Sequence, residues 1–381
     1  MAINIFEPYQ LKSINFNNRI IRSATDEGLA DSEGDPSQDL LKMYKKLANG
    51  HVGAIITGFI SVSKDGKSVM PGMMMIDSDD RIAGHASMVE EIHKENCSII
   101  AQLAHCGRSG VGGKKCQIER LSLEHIKDIE KDFINAAIRA YKAGYDAVEL
   151  HLAHGYLLSE FLSPHTNKRK DMYGGSLEAR LKLILDIIFG IREQIPAYPI
   201  LVKINGSEDY PDGIDSELAS QNALALEKAG VDAIEVSCGI DWNSMGPSRG
   251  KIPVDMLLAH YPQLKTKPKF IKKLIRPNLA GLMKEVEATS SYNLASAVRI
   301  KEAVKIPLIL VGGLHSLEDF ESAINEHGMD MVAASRPFII EPNFVEKLES
   351  GVTSKSRCIE CNNCLAGLYD RSLRCYYGKV F

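Results

Sequence analysis

The sequence predicts a closed parallel barrel of eight strands with the helices outside, the TIM (β/α)8 class of α/β fold, from three observations. Short β-branched runs alternate with amphipathic stretches whose apolar residues recur at helical spacing along most of the 381 residues. The alternation counts to eight strand-then-helix units, the number that closes such a barrel. Three helices end in one signature, Gly144-Tyr145-Asp146, Gly230-Val231-Asp232 and Gly328-Met329-Asp330. Glycine supplies a left-handed cap there, an aspartate follows two residues later, and a strand begins. A doubly wound sheet would share the alternation, but the sequence has no glycine-rich fingerprint of dinucleotide or nucleoside-triphosphate type.

In chain order, the first expected unit is a strand over Arg19–Ala24 and a helix over Ser37–Ala48. Val52–Phe59 with Asp80–Glu95, Ser98–Leu103 with Ile129–Ala143, and Asp146–His151 with Leu177–Gln194 make the next three. The second half repeats the pattern: Ile200–Asn205 with Ser216–Ala229, then Ala233–Ser237 with Asn293–Val304. Pro307–Val311 with Leu317–Glu326 and Met331–Ala334 with Asn343–Glu349 complete it. The connection after the sixth strand, residues 238–292, is too long for a plain barrel turn. It holds Trp242, Pro247, Pro253 and a run Lys265–Arg276 with six basic residues and no acid. That run reads as a solvated helix or lid, with an anion-binding element as the alternative. The barrel is therefore expected over residues 1–350, followed by a Cys-rich segment over 351–381.

Lys plus Arg number 45 against 49 Asp plus Glu, a net charge of −4 that calls for no nucleic-acid partner. Apolar runs such as Ile306–Val311 fall far short of the ~18–20 residues of a membrane helix. The N-terminus lacks both a basic region and a long apolar stretch, so a cytoplasmic protein is expected. Of eight cysteines, four are scattered and four crowd the last 24 residues, which suits a reducing compartment and a C-terminal metal better than a disulfide framework.

In a barrel the reacting groups sit where strands end. The fourth strand ends at His151, and His154 and Tyr156 follow, converging on the mouth if the loop makes one helical turn. Two neutral imidazole N–H groups can hold one substrate oxygen as negative charge develops on it. A phenol can deliver a proton to a strongly basic carbanion. Lys203 lies in a strand otherwise apolar on both faces, where a buried ammonium must face an anion or pair with Glu149 or Glu235. Gly312 and Gly313 end the seventh strand, and Ser335 and Arg336 the eighth. Glycines admit backbone amides close to an anion and arginine grips one bidentately, so these turns form a candidate phosphate site.

Residues 149–180 read Glu149-Leu-His151-Leu-Ala-His154-Gly-Tyr156, then Phe161-Leu-Ser-Pro164, Asn167-Lys-Arg169, Tyr173-Gly-Gly-Ser176 and Arg180. With Asn18-Arg19-Ile20-Ile21, Gln102-Leu-Ala-His105-Cys106-Gly107-Arg108 and the Val311-Gly-Gly and Ser335-Arg-Pro turns, they closely resemble the Old Yellow Enzyme family of FMN-dependent oxidoreductases. The resemblance spans roughly residues 6–345. It implies FMN in the barrel mouth, reduced by NAD(P)H and reoxidised by a small-molecule substrate in the same place. It makes His151 and His154 the substrate's donor pair and Tyr156 the proton donor. Gln102 and Lys203 become contacts to the flavin ring, with Lys203 at the N1–C2 carbonyl edge where relatives often have Arg. Ala24, Thr25 and Gly58 become backbone around the ring, and Gly312, Gly313, Ser335 and Arg336 the phosphate site. Asp26 stands where relatives commonly place threonine, cysteine or histidine, and Ser335 where glycine is usual. A carboxylate at position 26 disfavours added negative charge on the ring unless Arg22 or a backbone amide neutralises it.

Cys358, Cys361 and Cys364 stand at two-residue intervals, and Cys375 follows eleven residues later. Three such thiolates can wrap one face of a [4Fe-4S] cubane and a remote fourth can close it. Zinc, or a thiol-rich tail holding nothing, are the alternatives. The pattern also resembles the barrel–cluster junction of 2,4-dienoyl-CoA reductase and trimethylamine dehydrogenase within the same family. Electrons for a cluster would pass to or from a separate electron-transfer protein, or enter from nicotinamide at the flavin. The first functional expectation is an ene-reductase acting on an α,β-unsaturated carbonyl. Its alternatives are an amine dehydrogenase or demethylase and an electron carrier, and a homo-oligomer is expected in each case.

Overall fold

The computed structural model describes residues 2–240, 246–282, 285–370 and 372–378; Trp242 of the long connection lies outside them. Its barrel strands are β1 (Ile20–Arg22), β2 (Ala54–Ile56), β3 (Ser98–Ala104), β4 (Ala147–Leu152), β5 (Ile200–Asn205), β6 (Ala233–Ser237), β7 (Leu308–Val311) and β8 (Met331–Ala334). Each pairs in parallel with the next, and β8 closes the ring on β1 through Val332↔Ile20, Ala333↔Ile21 and Ala334↔Arg22. The helices are α1 (Gln38–Asn49), α2 (Ile82–His93), α3 (Leu123–Lys142), α4 (Leu177–Gln194), α5 (Ser216–Lys228), α6 (Leu294–Ala303), α7 (Leu317–Asn325) and α8 (Phe344–Glu349).

Side chains alternate along each strand, so a barrel strand feeds two cores. Ile55, Ile99, Val148, Val202 and Ile234 point outward into the large core beneath the helices. Ile21, Ile56, Ile100, Ala147, Leu201, Ala233, Ile309 and Met331 point inward and pack as one plug. An antiparallel hairpin, Tyr9–Leu11 with Ile14–Phe16, adds Leu11, Ile14 and Phe16 to that plug and closes the end away from the mouth.

Two expected boundaries differ for physical reasons. α3 begins six residues before Ile129, because the Ser122 side chain caps it by accepting the His125 N–H, although the turn that follows is mostly polar. The run Val52–Phe59 is broken after Ile56. The Gly58 N–H turns to the Glu27 carboxylate, and the chain returns to strand pairing only at Ile60–Ser61.

The repeated helix-end signature acquires a structural purpose. Gly144, Gly230 and Gly328 all have left-handed φ. The aspartates after them accept a backbone N–H at the start of the preceding strand: Asp146 from Ile99, Asp232 from Ile200 and Asp330 from Leu308. Asp232 also pairs with Arg192 at 2.6 Å and Lys12 at 2.5 Å. Asp232→Ala strands a buried N–H and is expected to lower unfolding free energy by about 2–3 kcal/mol in urea titration.

Candidate active site

Above the apolar plug the same inward register turns polar. Ser23, Gln102, Glu149, Lys203 and Glu235 are all buried and form a layer at the floor of a cavity. Lys203 is not an isolated cation. Its Nζ lies 3.0 Å from Glu235 Oε2 and donates to Ser23 Oγ at 2.9 Å, while Ser23 Oγ donates to Glu235 Oε1 at 2.6 Å. Gln102 Nε2 donates to Glu149 Oε1 at 2.6 Å. Burial first, and then the charge of Glu235, push the Glu149 carboxyl well above the usual carboxylate range.

The cavity at the C-terminal ends of the strands holds roughly 1560 Å3 of empty space, its open mouth included. His151, His154, Tyr156, Ala24, Thr25, Asp26, Gln102, Lys203, Gly312, Gly313, Ser335 and Arg336 all line it. Gly58 does not. It sits behind the wall, and a Cβ there would lie 2.0 Å from the Glu27 carboxylate, so its glycine is required by that contact and not by the cavity.

His151, His154 and Tyr156 converge, but without the helical turn expected between them. His151 still belongs to β4, and the chain then turns through left-handed His154 (φ 64°) and Gly155 (φ 77°). The His151 ring centroid lies 5.0 Å from that of His154 and 5.0 Å from that of Tyr156. Burial holds both imidazoles neutral: His154 falls to about 3 and His151 lies well below the usual value. His151 Nδ1 accepts the Ala153 N–H at 3.4 Å, which leaves the ring proton on Nε2; His154 Nε2 meets Ser237 Oγ at 2.7 Å. The site therefore presents neutral N–H donors and a phenol, a set that binds an oxygen gaining negative charge without first protonating it.

At the cavity's other end, Gly312 (φ 115°) and Gly313 (φ 71°) adopt conformations that side chains rarely take. A Cβ on Gly312 would meet the Tyr292 ring at 2.5 Å, and one on Gly313 the Thr289 carbonyl at 2.3 Å. Arg336 lines the cavity, but its guanidinium is already engaged. It donates to the Arg249 carbonyl at 2.5 Å and to Asn362 Oδ1 at 3.0 Å, and it faces Glu360 at 3.3 Å. His315, also on the wall, pairs with the same Glu360 carboxylate. The Cys-rich segment thus reaches the Arg336 end of the cavity, and its Leu365, Ala366, Leu368 and Tyr369 form part of the cavity wall.

Arg22 does not neutralise Asp26. It pairs with Glu27 at 2.7 Å, and Tyr44 and the Gly58 amide donate to the same carboxylate. Asp26 retains the Gly28 N–H at 3.1 Å. Burial and the Glu27 charge push it up to about 7 against the opposing pull of that amide and of Arg22.

Cys358, Cys361, Cys364 and Cys375 all line one small cavity beside Arg336. Left-handed Glu360 (φ 55°) and Asn362 (φ 54°) fold the chain tightly enough to bring them there. Burial pushes the Cys364 thiol up to about 12, so a cation is needed to hold it as thiolate. Tetrahedral zinc brings its sulfurs to about 3.8 Å of one another. Among the described residues, the one trio of ligand-type atoms packed within 4.8 Å lies elsewhere, at Asp65, His105 and Cys116. There Gly107 N–H donates to His105 Nδ1, which puts the ring proton on Nε2, 3.5 Å from Asp65 Oδ1, so that Nε2 faces the carboxylate with a proton and not a lone pair.

Several residues of the site had no signal in the sequence. Glu360, Asn362 and the wall residues 365–369 lie within a Cys-rich stretch that reads as metal ligation. Ser248, Pro253, Leu257 and Tyr292 come from the long connection, whose length, prolines and basic run gave none of these positions a place in the site. Its basic run starts at the last residue of the short helix Pro262–Lys265 and continues into the helix Lys269–Leu282, where residues 269–276 are exposed or half-exposed, in line with a solvated element.

A family model described as NADH:flavin oxidoreductase / NADH oxidase matches residues 4–250 and 277–355. An NADH oxidase of Thermoanaerobacter brockii is 31% identical over 97% of this chain, which spans 55% of that protein, about half its length. A 4,4'-dithiodibutanoate disulfide reductase of Rhodococcus erythropolis is 30% identical over 96% of this chain and 93% of its own. The solved structure of an old yellow enzyme homologue from Zymomonas mobilis superposes with a TM-score of 0.71 at 21% identity, over 94% of this chain and 96% of that one.

Proposed function

Because this chain belongs to the NADH:flavin oxidoreductase / NADH oxidase family, we propose that it is an FMN-dependent ene-reductase that uses NAD(P)H to saturate the activated C=C bond of an α,β-unsaturated carbonyl compound. The observation that carries this reading is the convergence of twelve predicted site residues on one cavity, with neutral imidazoles and a phenol at one end and Arg336 at the other. The donor set fits FMN: a floor with Gln102 and Lys203 suits the polar edge of the ring, and glycine turns with Arg336 suit a phosphate. Bound FMN would supply hydride transfer, from the nicotinamide and onward to the substrate's β-carbon. The His151 and His154 N–H groups hold the carbonyl oxygen as it gains charge, and Tyr156 gives its proton to the α-carbon and recovers one from solvent. One hydride and one proton thereby account for both hydrogens of the product.

The visible spectrum of anaerobically purified protein tests the cofactor. Flavin absorption is expected, together with enone-dependent NAD(P)H oxidation; a colourless protein that takes up no FMN ends the reading. The shared cavity of the four cysteines favours a [4Fe-4S] cluster there, and with it a second reading in which electrons leave for a partner protein during amine oxidation. About four irons per chain, lost together in Cys361→Ser, are expected; zinc in their place removes that second reading.

Asp26 makes the site sensitive to pH. Its folded value is raised from 3.8 to about 7, so the native state holds a proton that the unfolded chain has released. The stability this proton contributes is lost as pH rises from about 4 to about 7. Asp26→Asn is expected to make the apoprotein more stable than its parent above pH 7, with the difference vanishing near pH 4. In holoprotein, the parent's flavin potential is expected to fall more steeply with pH through about 7 than the variant's, because the parent's carboxylate gains charge there.

A further inference from the structure

The buried floor of the cavity carries more carboxylate oxygens than it has hydrogen-bond donors aligned to them. Glu235 is wholly buried beside Lys203, itself 3% exposed on its side chain, and Ser23 bridges the two. Glu149, on β4 at the far side of β5, is close enough for the Glu235 charge to act on its carboxyl. With both carboxylates ionised, Glu149 Oε2 and Glu235 Oε2 are buried with no hydrogen-bond donor aligned to either. Two such anions in contact, away from water, repel strongly. One proton on Glu149, donated to Glu235, removes both defects. The burial of Glu149, the negative charge of Glu235 and the hydrogen bond between the two all favour that protonated state. Gln102 then donates to the carbonyl oxygen of a neutral carboxylic acid, an arrangement that costs no desolvated charge.

We infer that Glu235 is the residue that sets the reduction potential of bound FMN, by holding Lys203 in a buried ion pair instead of leaving a free cation at the cavity floor. The inference rests on the FMN reading above and deepens it. The floor sums to zero charge: Lys203 is positive, Glu235 negative and Glu149 neutral. Negative charge arriving on the ring therefore meets a dipole whose positive end is Lys203, not a full unpaired charge. At low dielectric the difference is large enough to move a redox equilibrium. Glu235 acts through Lys203 and is a positioning residue, since Lys203, and not Glu235, lines the cavity.

The test measures the midpoint potential of the FMN-reconstituted protein by dye equilibration. Removing Glu235 alone would let Glu149 ionise in its place, so the informative variant is Glu149→Gln with Glu235→Gln, and Glu149→Gln alone is the reference. The double variant is expected to favour the reduced form about tenfold or more over the reference, about 30 mV for a two-electron couple. Glu149→Gln alone, which mimics the protonated acid, is expected to shift the equilibrium by less than threefold. Lys203→Gln is expected to move it the opposite way. If Lys203→Gln shifts the potential and the double variant does not, the inference is overturned while the FMN reading stands. If neither shifts while FMN stays bound, the ring does not lie over this pair, and the inference is overturned together with the assignment of Gln102 and Lys203 to the ring. Should the double variant not fold, infrared difference spectra of the parent decide. A protonated-carboxyl band that shifts in D2O and disappears in Glu149→Gln is expected, and its absence refutes the shared proton.

Discussion

Tyr156→Phe is expected to reduce enone turnover by about 10²–10⁴-fold while NAD(P)H still bleaches the flavin at the parent rate. The split follows from where the phenol stands. Its ring lies 5.3 Å from Phe59 and 5.0 Å from His151, on the wall of the cavity. Phenylalanine keeps those ring contacts and removes only the O–H, so packing and FMN binding should hardly change. Stopped-flow measurement of the two half-reactions separates the outcomes. Equal loss in both would make Tyr156 a structural residue, and no loss in either would give the proton-donor role to another group. An electron carrier has no use for a proton at carbon, so an unaffected enzyme would also favour that alternative.

The second large effect concerns the donor pair. His151→Ala with His154→Ala is expected to weaken binding of a phenolate probe, followed by the absorbance change on the flavin, by about 10²–10⁴-fold. Two hydrogen bonds to a charged oxygen, each worth about 1.5–3 kcal/mol, give that range. FMN should remain bound, because neither ring contacts the Gly312–Arg336 end. Since both imidazoles stay neutral, phenolate binding should show no imidazole titration between about pH 5 and 8, the range in which an unperturbed histidine would gain charge. Because the His154 contact to Ser237 is also lost, His151→Asn with His154→Asn is the companion: each amide keeps an N–H, and substantial recovery is expected. Failure of the asparagines to recover binding, with the fold intact by circular dichroism, would argue for shape over hydrogen bonding.

The legible part of the chain follows a simple rule. Wherever one residue's neighbours in sequence decide its environment, the sequence can be read. Ile200–Asn205 and Ala233–Ser237 are strands with the expected bounds, because a run of branched apolar residues between turn signals has few other outcomes. Strand parity also carries the site: the residues two beyond Ile21, Ile100, Ala147, Leu201 and Ala233 must face inward at the mouth, and these are Ser23, Gln102, Glu149, Lys203 and Glu235. The helical turn expected after β4 failed for the opposite reason. Gly155 and the contacts of His154 with Asn205 and Ser237, on two other strands, set a left-handed turn that spacing alone cannot specify.

By itself the sequence determined the barrel, the order of its elements and the identity of the groups at its mouth, because periodicity and turn chemistry act within a few residues. Only the tertiary structure decided what those groups are electrically. It paired Lys203 with Glu235 and not with Glu149, gave Arg22 to Glu27 and left Asp26 with an amide, and brought Glu360 from the Cys-rich segment onto Arg336 and His315. Charge pairing depends on ångström distances between segments tens to hundreds of residues apart, and those distances exist only once the ring of strands has closed.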